Sequence, residues 1–106
     1  MLTRKTALIN AKRFIDEVKS NGVNIKKAYL FGSFAKNDAA INSDIDIAMI
    51  ADEFSGAGFF DSKLFAPIKI KSQYLIIETK TYNTKIWEEN NDPFIEEIIN
   101  TGIEIN

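Results

Sequence analysis

The sequence contains neither cysteine nor histidine. Those two absences exclude disulfides, thiolate nucleophiles, imidazole bases, Ser-His-Asp triads and thiolate zinc sites together. Any catalysis must therefore run on carboxylates, hydroxyls, lysine or arginine, and any metal site must be rich in oxygen. Two prolines and five glycines are thinly spread over 106 residues, so they punctuate the chain and build no linker or low-complexity tract. Polar residues interrupt every apolar run, and none approaches the roughly 20 apolar residues that span a bilayer. No segment after Met1 has the apolar core of a secretory signal. A cytoplasmic protein without a membrane partner is the expectation. Thirteen Lys and Arg stand against 15 Asp and Glu, a net charge of −2, so no basic excess is available to grip a long nucleic acid.

What is present is ordinary globular composition, 45% hydrophobic and 26% charged, in a length suited to one domain expected over residues 1–106. Leu8, Ala11, Ile15 and Val18 recur at helical spacing, which predicts a first helix capped by Thr3 or Thr6 and stopped near Gly22. Ala28 to Phe31 reads as a short buried strand ending at Gly32. Residues 33–40 are rich in helix formers, and Asn42 and Ser43 break that pattern. Residues 44–50 alternate, with Asp44, Asp46 and Ala48 on one face and Ile45, Ile47 and Met49 on the other, which is a strand by period. Residues 52–58 read as a loop, 59–71 as a helix and 74–79 as a third strand. Asp92 and Pro93 start a last helix that Gly102 ends. The order α-β-α-β-α-β-α predicts a mixed α/β domain, helices packed on a small sheet.

Two clusters carry chemistry. A glycine at a strand-to-helix turn lets a phosphate approach the backbone, and the N–H groups of a helix starting at Ser33 can bind it. The Ser33 hydroxyl adds a donor, and Lys36 a mobile cation one turn on. The plainer reading is a turn glycine followed by an N-cap serine. Asp44 and Asp46, two apart on a strand, point the same way about 7 Å apart. Paired anions raise each other's pKa unless a cation neutralises them, and Mg²⁺ takes such oxygens together with substrate phosphates. The plainer reading there is the polar face of an edge strand. Taken together, the clusters suit a nucleoside triphosphate seated on Gly32 and Ser33, with two metal ions about 4 Å apart held by the aspartates.

At this point Leu30 to Lys36 and Ser43 to Ile47 resemble the Gly-Ser…Asp-x-Asp signature of the nucleotidyltransferase superfamily that includes DNA polymerase β. At this length the chain is similar to its minimal nucleotidyltransferases. The resemblance covers most of the chain, including Asp92 to Ile103, and is weakest over 52–73. Asn37 stands where the family pattern has glycine, and Asn tolerates left-handed backbone. The resemblance implies that Gly32, Ser33, Lys36 and Ser43 contact the nucleotide, and that Asp44 and Asp46 hold Mg²⁺, two ions being usual. It also implies a third carboxylate from the next strand, as metal ligand and general base. Glu78 is the only acidic residue there, Tyr74 standing where related members often carry Asp; the plainer reading of Glu78 is a surface charge at a strand end. The implied activity moves a nucleoside monophosphate from an NTP, with ATP the expected donor, onto a hydroxyl. The acceptor then comes from a partner, in this family often a HEPN-domain toxin of a toxin–antitoxin pair, or from a second subunit. The alternative is a weak or inactive module that masks its partner.

Overall fold

The computed structural model describes residues 2–40 and 43–105; the break expected at Asn42 lies outside them. The first helix, α1 (Arg4–Ser20), begins where Thr3 and Thr6 exchange side-chain and backbone hydrogen bonds in a capping box. Its buried stripe runs through Ala7, Ala11, Phe14, Ile15 and Val18. Leu8 is only partly buried, because the larger Phe14 turns the packed face toward itself.

Strand β1 (Ile25–Phe31) leads into α2 (Gly32–Ala35), followed by β2 (Ile45–Ala51). The helix expected over 33–40 is thus a single turn, closed by Lys36 and by Asn37 in the left-handed region at φ 59. A one-turn helix carries little dipole; what remains for an anion is the local N–H groups.

The helix expected over 59–71 is instead a chain of short pieces. These are α3 (Gly58–Asp61), a 3-10 turn over Ser62–Leu64, α4 (Ala66–Lys69) and a second 3-10 turn over Ser72–Tyr74. Only Asp61, Phe65, Ile68 and Tyr74 of this stretch are buried, too few and too unevenly spaced to pin one long helix. Two polar anchors hold the excursion. Asp61, 3% exposed, accepts hydrogen bonds from Ser55 N, Ser55 Oγ, Gly56 N and Thr81 Oγ1. The Tyr74 hydroxyl donates to the Glu17 carboxylate, which also pairs with Lys71.

The third strand, β3 (Ile77–Asn83), starts three residues later than expected, because Tyr74 turns into the core against Phe14 in place of joining the sheet. Then come α5 (Thr84–Glu89), α6 (Pro93–Thr101) and β4 (Ile103–Glu104); α5 and β4 were not foreseen. The start of α6 is as expected, Asp92 Oδ1 accepting from Phe94 N at 2.9 Å.

The sheet order is β3-β2-β1-β4, with β1 antiparallel to β2 and β4, and β2 parallel to β3. β2 is therefore interior, which rules out the edge-strand reading of Asp46; Asp44, expected beside it on the same strand, falls just outside β2 and is exposed. Its alternation sorts the core: Ile45, Ile47 and Met49 join α1, Phe54, Phe65 and Tyr74 on one side. Ala48 and Ile50 join Tyr29, Tyr82, Trp87, Ile95 and Ile98 under α5 and α6. No helix among the described residues is long and apolar enough to cross a membrane.

Candidate active site

Three chain segments meet at one end of the sheet. β1 delivers Gly32 past its last residue, β2 delivers Asp46 as its second, and β3 delivers Glu78 as its second. In the register of the sheet, Phe31 lies opposite Asp46, and Asp46 lies opposite Glu78. Facing residues of neighbouring strands share a face, so both carboxylates project on the α6 side, on strands roughly 4.8 Å apart. Gly32, at φ +73, fits against them only because it lacks a side chain. A Cβ there would lie 2.2 Å from Asp46 Oδ2. The glycine turn and the aspartate are thus in direct contact.

The electrostatics agree with that crowding. Burial first, then the charges of Glu78 and Asp44, push the Asp46 carboxyl up to about 6. Asp44 immediately precedes β2 and is exposed. Among the described residues, no three acidic side chains close into a ready-made metal cage. The donors nonetheless fit a hard divalent cation. They are all oxygen, two sit on adjacent strands, and the half-buried Asp46 is an anion destabilised by its like-charged neighbours.

The remaining expected residues are placed less directly. Ser33 is half-buried in the turn, and its hydroxyl has no partner among the described residues. Ser43 Oγ, just before Asp44, accepts from Ala40 N at 2.8 Å. Lys36 is held by α6, its Nζ 3.6 Å from Glu97 Oε1. Tyr29 and Phe34 are buried and Trp87 packs between Tyr29 and Tyr82, all three serving the core, whereas Phe31 is only half-buried.

A cavity of about 270 Å³ opens beside the carboxylates, lined by Phe31, Asp46, Glu78, Thr79, Lys80 and Phe94. Sequence reasoning did not place Phe94 there. Lys80 is signalled by its spacing, two residues after Glu78 and so on the same face; nothing in sequence brings Phe94 across to Phe31, 5.8 Å between ring centroids. A larger hollow of about 550 Å³, at the far end of β3 by Asn83 and Thr84, lies away from both Asp46 and Gly32.

The comparisons with known proteins accord with this arrangement. No curated protein matches the chain. A candidate nucleotidyltransferase from Sulfolobus solfataricus superposes with a TM-score of 0.66 at 20% identity, over 95% of this chain and 80% of that one. A mutant of the MntA–HpeT toxin–antitoxin superposes with a TM-score of 0.57 at 16% identity, over 90% of this chain and 72% of that one. At such identities the likeness is one of fold, a mixed sheet with the same layering of helices. Residues 13–106 match the model of the polymerase beta nucleotidyltransferase family, and the chain belongs to that family.

Proposed function

We propose that the protein transfers a nucleoside monophosphate from an NTP, ATP foremost, to a hydroxyl group on a partner protein. The observation that carries this reading is the contact of Gly32 with Asp46 and the register of Asp46 against Glu78. Gly32 and Ser33 would receive the triphosphate, the bare glycine allowing phosphate oxygens to reach backbone N–H groups. Ser43 shapes the approach to Asp44 through its hydrogen bond with Ala40 N, and Lys36 would leave Glu97 to meet the phosphates. Asp44, Asp46 and Glu78 would hold Mg²⁺, two ions in the family's usual arrangement. When bound, the metal supplies charge neutralisation and Lewis acidity at the phosphates.

Glu78 faces the cavity and is the group placed to accept the acceptor's proton. The acceptor oxygen forms a bond to the α-phosphorus, the bond from that phosphorus to the bridging oxygen breaks, and pyrophosphate leaves. A cavity of about 270 Å³ admits a single acceptor group but does not enclose a large acceptor, which favours a hydroxyl presented from another protein. The toxin–antitoxin neighbour supports the same direction, and a HEPN-domain protein is the first candidate.

A second reading, partner masking without chemistry, is favoured by the exposure of Asp44 outside the strand pair. One experiment separates the two. The protein is incubated with Mg²⁺, α-labelled ATP and a candidate HEPN protein. Labelling of the partner that disappears in Asp46→Asn supports transfer. Inhibition of the partner that persists in Asp44→Asn with Asp46→Asn, without labelling, replaces transfer with masking.

A further inference from the structure

We infer that the outer edge of β3 pairs with the same edge of a second copy of this chain, antiparallel and centred on Thr79. The inference stands on the sheet edge and is independent of the proposed reaction. β3 ends the sheet and is bonded to β2 alone. Among the described residues, no backbone hydrogen bond leaves residues 77–82 in the outward direction. Such an edge is a template for another strand, and a lone lysine on it normally repels one.

Here the lysine is not alone. Glu78 and Lys80 lie two apart on the same face, and both are exposed. Lys80 has no carboxylate partner in its own chain among the described residues; its Nζ rests over the rings of Tyr82 and Phe94, 5.4 and 5.3 Å from their centroids. Two-fold pairing through this stretch can be centred on 78, 79 or 80. Centring on 78 sets Glu78 against the partner's Glu78, and centring on 80 sets Lys80 against the partner's Lys80. Only centring on Thr79 sets Glu78 against the partner's Lys80, twice by symmetry, with Thr79 against the partner's Thr79. Directly opposed unlike charges and threonine pairs stabilise antiparallel strands, whereas like charges oppose pairing.

The charge pattern therefore selects one register for pairing with a second copy of this chain. In that register the partner's Lys80 lies beside Glu78, on the face that carries Asp46. The second copy thus adds a cation to the cavity, next to its outer carboxylate.

Sedimentation velocity across a concentration series tests the pairing on the full chain, on Lys80→Glu, and on the exchange Glu78→Lys with Lys80→Glu. A dimer that Lys80→Glu weakens by at least about tenfold, and that the exchange restores, is expected, because two attractive pairs become repulsive and then attractive again. Circular dichroism and melting verify that each variant is folded; Lys80→Gln replaces Lys80→Glu if that variant is not. A chain that stays monomeric at every concentration overturns the inference. So does a dimer indifferent to Lys80→Glu, or one that the exchange does not restore.

Discussion

The close approach of Gly32 to Asp46 makes a quantitative prediction for Gly32→Ala. Two costs arise separately. At φ +73 a residue with a Cβ pays the left-handed backbone penalty, about 1–2 kcal/mol. The new methyl would also stand 2.2 Å from Asp46 Oδ2 and 3.1 Å from its Cγ, which forces the carboxylate aside. Overpacking of that kind costs about 1–3 kcal/mol. The sum, about 2–5 kcal/mol, is a large part of the 5–15 kcal/mol typical of a domain, yet leaves a folded protein in most of that range. The two terms separate in a double-mutant cycle. In an Asp46→Ala background the clashing Oδ2 and Cγ are gone, and the remaining Cβ lies 3.4 Å away, an ordinary contact. Gly32→Ala should then cost only about 1–2 kcal/mol, leaving a coupling of about 1–3 kcal/mol. Urea melts followed by circular dichroism at 25 °C give all four stabilities. If Gly32→Ala costs the same in both backgrounds to within about 0.5 kcal/mol, the turn and the aspartate are not in contact, and the site's geometry is refuted.

Asp46→Asn should raise stability at neutral pH in chelator-treated buffer by about 1 kcal/mol, because it removes an anion crowded by burial, Glu78 and Asp44; a lower melting temperature contradicts that crowding. At Asp61, burial pushes the carboxyl up, but the hydrogen bonds from Ser55, Thr81 and Gly56 outweigh it, and the net shift is downward. Its contribution is therefore complete above the unfolded value near pH 4 and fades as pH falls through the lower folded value. Asp61→Asn should cost about 2–4 kcal/mol at pH 7 and flatten the acid limb of a stability–pH curve; an unchanged limb assigns acid loss elsewhere. Trp87→Ala should cost about 3–5 kcal/mol in the same melts, since the ring is 5% exposed and packed on Tyr29 and Tyr82. Lys36→Ala should change stability by under about 0.5 kcal/mol, its pair with Glu97 being exposed, while weakening ATP binding measured by calorimetry; unaltered affinity removes Lys36 from the phosphate site.

Much of this architecture is legible in the sequence where local signals and tertiary demands coincide. α1 and α6 announce themselves through capping residues and apolar spacing, and both form where expected apart from the rotation toward Phe14. β2 is legible from strict alternation, and the joint spacing of Gly32 with Asp46 foreshadows their contact. The failures have physical reasons. Residues 59–71 keep helical spacing, but their shape is decided by distant partners, Thr81 for Asp61 and Glu17 for Tyr74. The first three residues of the expected third strand stay outside the sheet because Tyr74 turns into the core, which only packing against Phe14 explains. α5 has six residues and β4 two, both below the length at which periodicity carries a signal. The alignment of Glu78 opposite Asp46 is a matter of register, set once β3 docks in parallel on β2. The family resemblance pointed to Glu78; local patterning could not.

The excursion between β2 and β3 has a consequence for how this scaffold can be extended. It is tied down at Asp61 and Tyr74, while Phe59 and Phe60 just before the first tie, and Ile70 between the two, are largely exposed. Lengthening a connection is thermodynamically cheap, each doubling costing about 0.6 kcal/mol. New sequence grafted at the Phe59–Phe60 tip would lengthen only the short loop that Asp61 closes on Ser55 and Gly56, leaving the tie of Tyr74 to Glu17 and the strand alignment beneath unchanged. The same fold can therefore acquire a lobe for a different target by insertion at one place.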